Sequence, residues 1–125
     1  MGGSFVRYFG FGLLLAVIPA ALQAQSMPIS TFLSKAEALK KKGPLALFSS
    51  DIGLLKSEVQ NSATAVRTEQ IAAKKAGRKL PYCLPEKASF NSNELLAHFH
   101  SIPPAQRGMS VQAGFASLVR KKYPC

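Results

Sequence analysis

Two cysteines, two histidines and six scattered carboxylates are the side chains with which this sequence could do covalent, metal or acid–base chemistry. Cys83 stands in Tyr82-Cys83-Leu84-Pro85, and Cys125 closes Tyr123-Pro124-Cys125. Thiols this far apart lack the close spacing of a zinc site. A catalytic thiol needs a histidine base beside it, and Cys125 is a poor setting for one. The favoured reading is a structural disulfide, with a metal thiolate pair and a catalytic thiol as the alternatives that free cysteines would reopen. His98 and His100 are two residues apart on a helix-like segment, so they point to different faces and do not chelate one ion together. Glu94 precedes His98 by four, the spacing of an exposed pair, and His100 sits near a helix end, where partial positive charge is favoured. No carboxylates are paired for acid–base work, no serine has triad partners, and no Gly-rich phosphate loop is present. The chain is expected to be non-catalytic, with no cofactor and no bound metal.

A disulfide requires an oxidising compartment. The N-terminus carries the export pattern: Arg7, then an almost wholly apolar run from Tyr8 to Leu22, then small residues ending at Ala24. The run is shorter than the roughly 20 residues of a spanning helix. A cleaved signal peptide over residues 1–24 is therefore preferred to an uncleaved anchor or a buried helix. Cleavage is expected between Ala24 and Gln25, with cleavage after Ser26 as second choice. No cysteine lies there to be acylated, so no lipid anchor is expected. Taking 24 residues from 125 leaves 101 for the mature chain, residues 25–125, enough for one domain with a modest core.

The elements that must position the cysteines read as four helices. Phe32, Leu33, Ala36 and Leu39 recur on one face of a helix starting at Ser30, with Glu37 and Lys41 four apart as an exposed pair. Gly43-Pro44 stops it, and Leu45-Ala46-Leu47-Phe48 is a short apolar link of about one turn. Ser49-Ser50-Asp51 caps a long second helix running to about Ala76. Its stripe is Ile52, Leu55, Val59, Ala63, Val66 and Ala73, with Leu54 and Ile71 beside it. The second half of that stripe is thin and expected to be partly exposed, and Asn61-Ser62 is a point where the helix could bend. Gly77 ends it. After a basic connection to Ala88, Asn91 and Glu94 form a capping-box signature. Leu95, Leu96, Phe99 and Ile102 make the third apolar face. Ile102-Pro103-Pro104 breaks the third helix, and Ser110 caps a fourth with Val111, Phe115, Leu118 and Val119 inward. Gly114, costly in a helix interior, reads as a point of close helix contact. No alternating β-branched run or hairpin turn predicts a strand. The fold class is all-α: a small four-helix domain whose C-terminal helical hairpin is closed by the Cys83–Cys125 bridge, since antiparallel helices bring those ends together.

Removing Arg7 from the 16 basic residues leaves 15 against 6 acidic ones, a mature net charge of +9. Export takes nucleic acid out of the set of partners; anionic membrane, cell-wall polymer or an acidic protein remain. The charges cluster at Lys40-Lys41-Lys42, at Lys74, Lys75, Arg78 and Lys79, and at Arg120-Lys121-Lys122. Each cluster falls at an expected helix C-terminus, where cations complement the helix dipole. A binding patch arises only if these ends converge.

The aromatic-Cys-x-Pro opening at Tyr82-Cys83-Leu84-Pro85, the capped helix after Phe90 and the aromatic-Pro-Cys close at Tyr123-Pro124-Cys125 resemble the C-terminal half of the Rap/Tai immunity family. The resemblance covers residues 82–125; residues 27–81 lie outside it. It implies a small exported all-helical protein of the Gram-negative periplasm. It further implies a partner: a secreted effector, a peptidoglycan amidase delivered by type VI secretion, which the protein binds and blocks. The expected function is thus an exported, periplasmic protein-binding protein of the immunity type, with no stable membrane anchor after cleavage and a homodimer left open. The alternative is a non-catalytic basic envelope protein that binds anionic cell-wall polymer or a membrane surface.

Overall fold

The computed structural model describes residues 26–125. The signal-peptide reading, with its cleavage site at Ala24-Gln25, lies outside them. Four α-helices make the fold: α1 (Ile29–Lys42), α2 (Ser50–Lys75), α3 (Ser92–Ser101) and α4 (Val111–Lys122). Short 3-10 turns occupy Gly43–Phe48 and Pro104–Gln106. The all-α reading holds, and among the described residues the one β contact is an isolated antiparallel bridge between Pro28 and Ser110.

That bridge explains how α1 starts without a capping side chain. Pro28 offers no side-chain acceptor. The first free donors of the helix are taken instead by the loop before α4: Ile29 N–H donates to Met109 O and Ser30 N–H to Arg107 O, both at 2.9 Å. In return Val111 N–H donates to Met27 O at 2.9 Å. The start of the described chain is thereby stitched to the start of α4. Ser26 adds to the seam, with its hydroxyl donating to Glu58 at 3.1 Å and accepting from Gln112 N–H at 2.8 Å.

The other caps follow the sequence. Ser49, Asn91 and Ser110 accept from Asp51, Glu94 and Ala113 backbone N–H. The capping box at Asn91 is half formed, because the Glu94 carboxylate turns to Lys122 Nζ at 3.0 Å. At Gly77, φ +68, Arg78 N–H reaches back to Ala73 O at 2.8 Å and Gly77 N–H to Lys74 O at 3.3 Å. This is the left-handed stop that glycine adopts without a Cβ penalty.

The core is one cluster centred on Ile29, Phe99, Val111, Phe115 and Val119, with Phe32, Leu33, Leu55, Val66, Tyr82 and Leu95 around it. Phe32 and Phe99 meet edge to face at 5.3 Å between centroids. Helix α4 packs chiefly against α2, and α3 lies antiparallel to α4 along the pairs Glu94–Lys122 and His98–Ser117. Gly114 sits where α4 meets Ile29 and Phe99. A Cβ there would stand 3.1 Å from Phe99 Cε1 and collide with Ile29 Cδ1. The close contact expected at Gly114 is present.

Three local readings are corrected. The second half of the α2 stripe is not partly exposed, since Val66 and Ala73 are buried, and Ser62 is buried beside them with its hydroxyl returned to Glu58 O at 2.8 Å. Glu37 does not pair with Lys41 but lies 3.8 Å from His100, because α3 packs beside that face of α1. His98 does not pair with Glu94, which Lys122 occupies.

Candidate functional site

Cys83 and Cys125 form the expected disulfide, with Cα atoms 4.9 Å apart. A backbone bond from Cys83 N–H to Tyr123 O at 2.8 Å aligns the two strands of chain that carry them. With both sulfurs bonded to each other, neither is a thiolate ligand or nucleophile. The segment leading in is laced to α2 by polar side chains. Gln70 accepts from Leu84 N–H at 2.6 Å and donates to Leu84 O at 2.9 Å. Arg67 donates to the carbonyls of Leu84, Pro85 and Glu86. The buried Tyr82 hydroxyl lies 3.3 Å from both Val66 O and Glu69. Burial, and then the Glu69 carboxylate, raise the Tyr82 phenol above its ordinary range. The sequence presents Arg67 and Gln70 as solvated helix positions, and no periodicity marks them as clamps.

His98 is half-buried between α3 and α4, its Nε2 2.7 Å from Ser117 Oγ. Ser117 in turn donates to Gly114 O at 2.7 Å. His98 Nδ1 is buried and has no hydrogen-bond partner among the described residues. Burial first, and the nearby Lys121 second, hold the His98 pKa below 6.5. His100 lies on the opposite side, toward Glu37. Among the described residues no three His, Cys, Asp or Glu side chains gather as a metal site requires.

The basic clusters lie at the ends of α1, α2 and α4, with Lys40 to Lys42, Lys74, Lys75 and Arg120 to Lys122 in the last turns and Arg78 and Lys79 just beyond α2. At the end of α2, Lys74, Arg78 and Lys79 line the same hollow as Cys83 and Cys125. The cluster Lys40 to Lys42 stands beside the 3-10 turn between α1 and α2.

An apolar groove of about 710 Å³ lies between α1, α2 and the start of α3. Phe32, Leu55 and Leu95 form its floor; Leu39, Val59 and Leu96 are half-buried in its walls, and Lys40 and Lys56 stand at its rim. Val59 and Leu96, on the apolar faces of α2 and α3, are left half-buried at this groove. Their partial exposure was not foreseen, since stripe position alone does not say which elements meet. The turn Gly43–Phe48 projects Leu45, Leu47 and Phe48 outward with relative exposures of 69, 79 and 88%. Its signal was visible in the sequence as an apolar run too short for a helix and bounded by Gly-Pro and a cap.

No protein-family model matches the chain, and neither a characterised protein nor a solved structure matches it at a significant level.

Proposed function

We propose that this chain is a non-catalytic binding protein of the periplasm, exported by its N-terminal segment, with the α1–α2–α3 groove as its recognition surface. The observation that carries the reading is the groove itself: an apolar floor and walls of Phe32, Leu39, Leu55, Val59 and Leu96, with Lys40 and Lys56 at the rim. Such a surface suits a partner segment with apolar side chains flanked by carboxylates, because burial supplies affinity and the rim charges supply orientation. The resemblance of residues 82–125 to the Rap/Tai immunity proteins names the class of partner, a peptidoglycan amidase delivered by type VI secretion. The Cys83–Cys125 bridge is in keeping with an oxidising compartment. Cleavage after Ala24 keeps Ser26 and its bonds to Glu58 and Gln112 in the mature chain, whereas cleavage after Ser26 discards them. Mass spectrometry of envelope protein should therefore find Gln25 as the first residue.

The binding test is titration of the mature chain against an amidase encoded by a neighbouring gene. The wild type should bind and inhibit peptidoglycan digestion. Leu39→Glu with Leu96→Glu should abolish both while leaving the helical fold intact. An amidase that digests peptidoglycan unchanged at saturating chain concentration would refute the amidase partner.

A second reading is favoured by the convergence of Lys74, Arg78 and Lys79 at the disulfide. There the protein is a basic envelope component bound to an anionic cell-wall polymer. Binding of that kind falls steeply with salt, and glutamine at those three positions should remove it.

A further inference from the structure

We propose that the Gly43–Phe48 turn is a membrane-contact site: Leu45, Leu47 and Phe48 enter the interface of an anionic bilayer, and Lys40, Lys41 and Lys42 pair with its headgroups. The site adjoins the groove and shares Lys40 with its rim, while Leu45, Leu47, Phe48, Lys41 and Lys42 lie outside the groove. It narrows the electrostatic reading at one place, remote from the disulfide-end cluster.

Three observations carry it. The first is shape. Residues lining a groove are shielded by its walls, so exposures of 69, 79 and 88% place these side chains on a convex projection. Ala46 is half-buried, and the N–H of Ser49 closes the turn by donating to Ala46 O at 3.0 Å. A bilayer interface accepts a convex apolar wedge without a matching pocket.

The second is charge. From Ala38 to Ser50 the sequence carries three lysines and no acid. The carboxylates on either side are engaged elsewhere, Asp51 with Lys35 at 3.2 Å and Glu37 beside His100. Among the described residues no carboxylate lies within ion-pair distance of Lys40, Lys41 or Lys42. Lys42 reaches only Ser49 Oγ, at 3.5 Å. A second copy of the chain docking tip to tip would bring two lysine collars together, so the charge selects an anionic surface over a dimer.

The third is order along the chain. The lysines end α1 and the apolar residues follow directly, so one side of the projection offers ammonium groups on flexible stems and its end offers hydrocarbon. That is the layering of an interfacial anchor, with the apolar part below the headgroups and the cations at their level. None of the described helices is long and apolar enough to cross a membrane. Three side chains make a weak anchor, so both signals are needed together and binding is reversible.

The sequence has no tryptophan, so Phe48→Trp introduces a single indole at the tip. The mature Phe48→Trp protein is titrated with vesicles of phosphatidylglycerol and phosphatidylcholine and with vesicles of phosphatidylcholine alone. The emission should shift to the blue with the anionic vesicles only, and the shift should disappear at about 0.5 M salt, where screening is strong. Leu45→Ser with Leu47→Ser, or glutamine at Lys41 and Lys42, should weaken vesicle binding at least about tenfold. Thermal melts should be unchanged, since these side chains carry no core. Absence of a blue shift with anionic vesicles would overturn the proposal. So would undiminished vesicle binding by the serine variant, which would place any lipid contact at another basic surface and spare the electrostatic reading. A concentration-dependent blue shift without lipid would assign the tip to a second copy instead.

Discussion

Gln70 holds Leu84 by both backbone groups, accepting its N–H at 2.6 Å and donating to its C=O at 2.9 Å. One side chain on α2 thus does what a neighbouring strand would do, and fixes the segment that delivers Cys83. Replacing Gln70 with alanine leaves the N–H of buried Leu84 unpaired and its C=O held by Arg67 alone, at a cost of about 1–3 kcal/mol. Urea unfolding should record that loss, while Thr68→Ala on the exposed side of α2 should change stability by less than about 0.5 kcal/mol. Equal effects from the two variants would mean that the clamp contributes nothing.

Gly114→Ala should destabilise, although alanine is normally better than glycine in a helix by about 1 kcal/mol. The new methyl group meets Ile29 Cδ1 and stands 3.1 Å from Phe99 Cε1. Overpacking of this kind costs about 1–3 kcal/mol. Ile29→Val removes the Cδ1 atom, so the double variant should recover most of the loss. A stabilised Gly114→Ala single variant would show that α4 has room there.

Acid should weaken the fold through His98. Its folded pKa is lowered from 6.5, chiefly by burial and then by Lys121. The unfolded chain therefore takes up a proton at this site before the folded one does. The stabilisation is complete above about pH 6.5 and is lost as pH falls from there toward the folded value. Unfolding measured at about pH 7.5 and about pH 5 should reveal the slope, and His98→Gln should flatten it. A slope unchanged in His98→Gln would assign the acid sensitivity to other groups.

Cys125→Ser should lower stability by about 2–5 kcal/mol, mainly by freeing the unfolded chain, and leave a helical protein by circular dichroism. Thiol titration of native protein should find no free sulfhydryl. Two readily alkylated cysteines would contradict the bridge.

The elements were legible where one residue type decides the matter. Ser49, Asn91 and Ser110 as caps, Gly77 as a stop and the Val111–Val119 stripe all depend on local physics. The bridge was legible because two cysteines flank a helix pair. The errors were all of tertiary origin. Glu37 faces His100 because α3 lies beside α1, and Lys122 takes Glu94 from His98 because α4 runs antiparallel to α3. Arg67 and Gln70 have the pattern of solvated residues until the connection from Gly77 is laid over them. The groove was hidden for the same reason: Leu39, Val59 and Leu96 read as core, and only the arrangement of α1, α2 and α3 leaves them half-covered.

The groove's role is tested most directly by survival of cells that send an amidase from a neighbouring gene into their own periplasm. Co-expressed wild-type chain should keep the cells intact, and the Leu39→Glu, Leu96→Glu chain, secreted and folded to the same level, should let them lyse. Lysis despite abundant wild-type chain, or equal protection by the groove variant, would contradict the account.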